Sequence, residues 1–326
     1  MKNIAFITSL VLSAIFICVG CDKEDDYPFR ISGLTIDNYP SMDGSTSTEP
    51  LNTLIACKLL GWRYQWTPDM TGNGIWRLEP NREDVADNFF GKRVKSSQTH
   101  QSIINLIDNQ TDIILSARKM SADEKSYAEK KGISLTETPI AWDALDFLIN
   151  KQNTVNYLTV KQIQDIYKGK ITNWKELGGA DEAIKPFIRN ANSGSQEMMK
   201  EIVMDNADMP DWELGYTDEN TLPSMASVYS ELAEHPSGIC FTPHYYKEYI
   251  IRNAVGAEYV KSIAINGISP GANSIKSKTY PFVSDVYISI RSDLDKSSMA
   301  YKIYELMQAE AGKQIIGESG YIFNRK

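Results

Sequence analysis

Histidine and cysteine are both scarce in this chain. Three histidines, His100, His235 and His244, are spread over 326 residues. His235 precedes Pro236 and His244 follows Pro243, positions that read as loop or packing, and spacing puts neither beside a serine as a base. Four cysteines are too few for a disulfide-dense scaffold, and nothing in their spacing with histidine reads as a zinc site. Neither a metal nor an organic cofactor is therefore expected. Positive charge is also in deficit: 34 Lys and Arg against 42 Asp and Glu leave a net charge of −8, the wrong sign for a nucleic-acid partner. There is no internal repeat, no low-complexity tract and no long apolar run after residue 19. Neither a G-x-S-x-G elbow nor a Walker loop is present, so Ser193-Gly194-Ser195 is a poor candidate nucleophile and no enzyme is expected. What remains is 42% hydrophobic and 10% aromatic, enough for a substantial core, at a length that suggests two domains or lobes.

The one long apolar run is at the start. Residues 4–19 are apolar except for Thr8, Ser9 and Ser13, follow Lys2, and end in Cys18-Val19-Gly20-Cys21. The run is short for a permanent span, for which about 20 apolar residues are needed. It resembles a lipoprotein signal peptide (1–21), with Cys21 lipidated, for instance by palmitate, as the mature N-terminus. Cys18 replaces the usual branched aliphatic residue, and a plain secretory signal or an uncleaved anchor is the alternative. An acidic tether (22–30) follows, similar to signals that send some lipoproteins to the cell surface. Localisation is thus expected at the cell envelope, lipid-anchored to a membrane. Removing residues 1–21 takes away only Lys2 among charged groups, so the net charge becomes −9. Cys57 and Cys240 then remain, both in apolar contexts that favour buried free thiols over a disulfide.

From residue 31 short apolar runs alternate with helical periods, the pattern of an α/β protein. Strands are expected at 31–37, 112–115, 140–149, 184–188, 238–242, 259–265 and 283–290. Helices are expected from Pro50 to a stop at Gly61, and after the capping boxes Ser121-x-x-Glu124 and Thr159-x-x-Gln162. A late one carries Met299, Ile303, Leu306 and Met307 on one face and is expected to stop at Gly312. The segment 62–90 holds Trp62, Tyr64, Trp66 and Trp76 among Pro, Gly and Asn. A hairpin or loop packing its aromatics on a lobe is favoured there over a sugar-stacking or partner surface.

Three loops rich in Gly, Ser or Thr lead from a strand into a helix: 43–50, 116–118 and 189–196. A helix start offers unpaired backbone N–H groups and the positive end of the helix dipole. Hydroxyls add donors, and Gly44 and Gly194 allow close approach of backbone to a ligand. Arg118 and Arg189 can each pair with an oxyanion through two parallel hydrogen bonds. The combination points to a small-anion site in a net-negative protein.

Two adjacent motifs carry a family resemblance. Ile166-Tyr167-x-Gly169-Lys170-Ile171-Thr172-Asn173-Trp174-Lys175-Glu176-Leu177-Gly178-Gly179 and Arg189-Asn190-x-x-Ser193-Gly194-Ser195-Gln196 resemble hallmarks of phosphate-specific ABC-transporter substrate-binding proteins. Segments 43–51, 112–118, 237–241 and 260–267, with Tyr280-Pro281 and Gly320-Tyr321, fit the same family in order. The resemblance implies an α/β, two-lobed type II periplasmic-binding-protein fold with crossover strands between the lobes. Lobe one would comprise 31–145 plus 251–326, and lobe two 146–250. It implies capture of phosphate or a related oxyanion for an ABC permease by a monomer that makes no covalent change to its ligand. The implied ligand contacts are Ser45, Thr46, Ser47 and Thr99 in lobe one and Arg189, Ser193, Gly194 and Ser195 in lobe two. Arg118 follows the strand where some members carry the aspartate that accepts the phosphate proton, and Ala191 stands where another acidic residue is common. Asp43 is the nearest substitute acceptor. A surface scavenger, sensor or adhesion module sharing this anion site, without a transporter, is the alternative.

Overall fold

The structure, a computed structural model, describes residues 29–85, 88–190, 193–207, 209 and 224–323. The signal segment 1–21 with Cys21, the tether up to residue 28, and Ala191 lie outside the described residues. The strands are, in order, β1 (Met42–Gly44), β2 (Tyr64–Pro68), β3 (Trp76–Pro80), β4 (Ile113–Ser116), β5 (Leu135–Asn150) and β6 (Tyr157–Leu158). They continue as β7 (Lys185–Pro186), β8 (Gly238–Pro243), β9 (Val260–Ser262), β10 (Ala264–Ile265), β11 (Val283–Arg291) and β12 (Ile322–Phe323). One mixed sheet runs β1-β4-β11-β5-β8-β7, with β9 and β12 also on β5.

β5 organises the molecule. Its residues 140–150 are all buried, and the sequence there is apolar except for Asp143, Asp146 and Asn150. Up to Ala144 it pairs antiparallel with β11, and from Leu145 with β8. One strand thus passes from one half of the protein into the other. On the first side the helix Glu49–Leu60 buries Leu51, Leu54 and Ile55 against Leu115 and Ile288. On the second side Phe147 lies 5.6 to 6.1 Å from the rings of Phe282, Tyr167 and Phe241. Such ring pairs contribute about 0.5–1.5 kcal/mol each beyond the area they bury.

The strand pairing continues in the second half beyond residue 251. β9 pairs with Leu148–Asn150 of β5, and β10 with β6, so the chain rejoins the first half of the sheet only at β11.

Three local expectations change. Residues 31–37 form turns rather than a strand, and the first strand is β1. The tether gives way to packed chain by Phe29, which is buried with the Lys58 ammonium 5.2 Å from its ring. Gly312 does not end the late helix. Met299–Gln308 breaks at Ala309, and Gly312 lies inside the next helix, Glu310–Ser319, which ends at left-handed Gly320 (φ 99°). A Cβ at Gly312 would sit 2.4 Å from the Met307 backbone, so the glycine is needed for close packing, not for termination.

The aromatic segment forms the hairpin β2–β3, with Trp66 opposite Leu78, and its rings are packed. Trp62 meets Phe89 edge-on at 4.8 Å, and Arg252 lies 3.9 Å over Trp76. Cys57 and Cys240 are buried free thiols.

Candidate functional site

The longest motif builds a support rather than a site. Trp174 is 1% exposed and its indole Nε1 donates to Ser237 O at 2.8 Å. Glu176 accepts from Thr172 N and Asn173 N at 3.0 Å each, and Gly178 closes the turn at φ 81°. Thr172 O in turn accepts from Ile184 N, fixing the approach to β7 and therefore to Arg189 beyond it.

Asp43 plays the same part in the first half. Its carboxylate is fully buried: Oδ1 accepts from Gly44 N and Ser97 N at 2.8 Å each, and Oδ2 from Asn105 Nδ2 at 2.7 Å. Both oxygens are committed to the surrounding chain, and Asp43 is not among the residues lining the cavity described next. It does not fit the expected role of accepting a ligand proton. Gly44 is required beside it, because a Cβ would lie 2.5 Å from Leu115 O and 2.7 Å from Thr48 Oγ1. Thr48 Oγ1 donates to Ser45 O and Leu115 O, locking the turn that leads into Glu49–Leu60.

These supports aim three helix starts at one cavity of about 180 Å3. The first half contributes Ser45, Thr46, Ser47 and Thr99, and the second Arg189, Ser193, Gly194 and Ser195. Thr99 opens the helix Thr99–Ile107, and its Oγ1 lies 2.8 Å from Ser45 Oγ. Ser193 caps the helical run 194–203, its Oγ accepting from Gln196 N at 3.1 Å. Arg189 N donates to Gln196 Oε1 at 2.9 Å, tying the arginine to the same turn. The Arg189 side chain is 9% exposed, and burial works against its charge while the nearby Tyr246 acts in the opposite sense. Ser195 is 3% exposed, and its hydroxyl has no hydrogen-bond partner among the described residues.

The two sides nearly touch: a Cβ on Gly194 would fall 2.3 Å from Thr99 Oγ1. Sequence reasoning missed Gln98, Met225 and Tyr246, which also line the cavity. No motif marks them, but Gln98 has φ 68°, ψ 166°, a backbone region that is almost exclusively glycine's and costs about 1–3 kcal/mol.

Arg118 is not brought to the cavity; of its loop only Ala117 lines it. Its guanidinium pairs with Glu124 through two bonds of 2.7 and 2.9 Å, both side chains being buried. Glu124 is the residue of the Ser121-x-x-Glu124 capping box. It accepts from Ser121 N at 2.8 Å, and His100 Nδ1 lies 2.8 Å away. Burial raises the pKa of this carboxyl, but the Arg118 hydrogen bonds and charge outweigh it, and the pKa falls below the ordinary 4.5. Stability from this pair is complete above the unfolded-state value and is lost as pH falls through the lower folded value. Glu124→Ala leaves Arg118 buried without its anion and is expected to destabilise the fold by about 3–5 kcal/mol at neutral pH. Thermal unfolding checks this, and the difference from wild type should shrink as pH falls below the ordinary 4.5 and through the lower folded value.

The other histidines are engaged elsewhere, His235 with Lys185 and His244 with Asp146. No helix among the described residues is long and apolar enough to cross a membrane.

Comparison with known proteins agrees with this architecture. A phosphate-binding protein PstS of Staphylococcus epidermidis is 25% identical over 256 residues, 76% of this chain and 75% of its own. An ABC-type phosphate transport receptor from Vibrio cholerae superposes with a TM-score of 0.59 at 21% identity, covering 87% of this chain and all of the other. A Clostridium perfringens protein, described as a candidate phosphate ABC transporter substrate-binding protein and solved with bound phosphate, gives 0.59 and 21%, covering 88% and 99%. A model of the PBP superfamily domain matches residues 78–302, well over half of the chain. This protein therefore belongs to the PBP superfamily.

Proposed function

We propose that the protein is an exported receptor, lipid-anchored at the cell envelope through Cys21, that captures inorganic phosphate or a similar tetrahedral oxyanion and delivers it, as a monomer, to an ABC permease. The observation that carries this reading is the convergence of Arg189, six site hydroxyls and three helix starts from both halves on one small cavity. An arginine in the cavity wall can hold an oxyanion through two parallel hydrogen bonds, and the helix starts and the Ser195 hydroxyl supply donors for the remaining oxygens. The names of the similar PstS proteins and the transport receptors of like fold support phosphate as the anion and import as its fate.

The mode of action is reversible capture. Ser45, Thr46, Ser47 and Thr99 hold the anion from one lobe, and Arg189, Ser193, Gly194 and Ser195 from the other. An anion held from both sides favours the closed arrangement over the open one by its differential affinity for the two. No bond to the ligand forms or breaks, so the protein acts as a receptor rather than a catalyst. Calorimetric titration of the exported protein, stripped of ligand by unfolding and refolding, tests the reading with phosphate and then sulfate. Saturable one-to-one phosphate binding supports it, and silence from folded protein overturns it. Equal sulfate binding would show selection by charge and shape rather than by the proton that phosphate carries.

A further inference from the structure

A cavity of about 510 Å3 lies where β5 changes partners, apart from the anion site and larger than it. Trp142, Asp143, Tyr245, Glu248, Gly271 and Tyr321 line it. We propose that this cavity is a second binding site, for a small organic ammonium ion, with Asp143 as its counter-charge and the aromatic rings as its walls.

Asp143 is 2% exposed. Its Oδ1 accepts from Ala144 N and Tyr245 N at 2.8 and 2.9 Å, while Oδ2 has no partner among the described residues. His244 acts on Asp143 through space, but the contacts of the neighbouring cations are made elsewhere. His244 Nδ1 and Lys247 Nζ lie 3.1 and 2.7 Å from Asp146, Lys247 Nζ also 2.8 Å from Glu248, and Lys278 Nζ sits 4.7 Å over the Trp142 ring. Burial lifts the Asp143 carboxyl to about 6, so at pH 8 it is an ionised acceptor. An ammonium ion supplies the missing donor together with a positive charge.

The walls suit an organic cation. Tyr245 stacks on Tyr321 at 3.7 Å and on Tyr249 at 4.8 Å. The Tyr245 and Tyr321 hydroxyls donate to Ser319 O and Ser47 O, both at 2.9 Å, so these side chains are held in place. The outer ring faces of this stack can attract a cation. A metal ion is disfavoured, because no group of three or more His, Cys, Asp or Glu that could hold one occurs among the described residues.

The site stands independently of phosphate binding. Its test is titration of the exported protein at pH 8 with 2-phenylethylammonium chloride and with the neutral 2-phenylethanol. The expected result is saturable binding of the ammonium ion, at least tenfold tighter than that of the alcohol, and a loss of at least tenfold in Asp143→Asn. Gly271→Leu provides a second variant that leaves Asp143 in place. Gly271 has extended backbone and a Cβ there meets nothing within 4 Å, so the leucine fills the cavity and should abolish binding in a folded protein. No saturable binding to wild type, equal affinity for the alcohol, or unchanged affinity in either folded variant would overturn the proposal.

Discussion

Replacing Arg189 with Ala is expected to weaken phosphate binding by about 3 kcal/mol, on the order of a hundredfold, with little change in the structure of the ligand-free protein. The guanidinium is the only arginine side chain lining the cavity among the described residues, and it is mostly buried. Hydrogen bonds to a charged partner contribute about 1.5–3 kcal/mol each, and a two-pronged pair to an oxyanion supplies two of them. Lysine should restore only part of the loss, since a point charge cannot reproduce the planar fork. Arg118→Ala behaves differently in this account. It removes a partner of Glu124, so it should lower thermal stability while leaving the affinity of the folded protein within a few fold. Calorimetry and thermal unfolding on the two variants separate the roles, and a reversed pattern would exchange them.

Gly194→Ala is expected to split stability from affinity. The residue opens a helical run and its φ is not positive, so alanine should stabilise the ligand-free helix by up to about 1 kcal/mol. The same methyl group would collide with Thr99 Oγ1 and crowd Thr99 Cβ at 3.2 Å. Relieving that contact holds the two sides of the cavity apart by roughly an ångström, enough to break the alignment of donors with a small anion. Phosphate affinity should fall at least tenfold. In the double variant with Thr99→Ala the losses should be less than additive, since the second change removes the atom that the first one strikes. Strict additivity would show that the two residues do not meet in the bound state.

Much of this was legible in the residues because it rests on local physics. The capping boxes at Ser121 and Thr159, the stop at Gly61 and the strands at 112–115 and 238–242 follow from side-chain chemistry within a few positions. What failed depended on distant neighbours. Arg118 has the right chemistry for an anion contact, but Glu124, six positions away on the next helix, takes its charge. Asp43 has the right chemistry for a proton acceptor, but Ser97 N and Asn105 saturate it from across the fold. The segment 31–37 alternates plausibly for a strand, yet it finds no partner strand. Gly312 looks like a helix stop, but its lack of a side chain serves contact with the preceding helix. Gln98 and Tyr246 carry no pattern at all, and only the closing of the chain places them at the cavity.

The central claim is that a tetrahedral oxyanion binds where Arg189, Ser195 and Thr99 converge. The most direct measurement is a crystal structure of the exported protein with arsenate, located by the anomalous signal of arsenic. A single strong peak is expected inside the cavity of about 180 Å3, within hydrogen-bonding reach of the Arg189 guanidinium and the Ser195 hydroxyl. A peak beside Arg118, or none in the cavity of a protein that binds phosphate in solution, would contradict it.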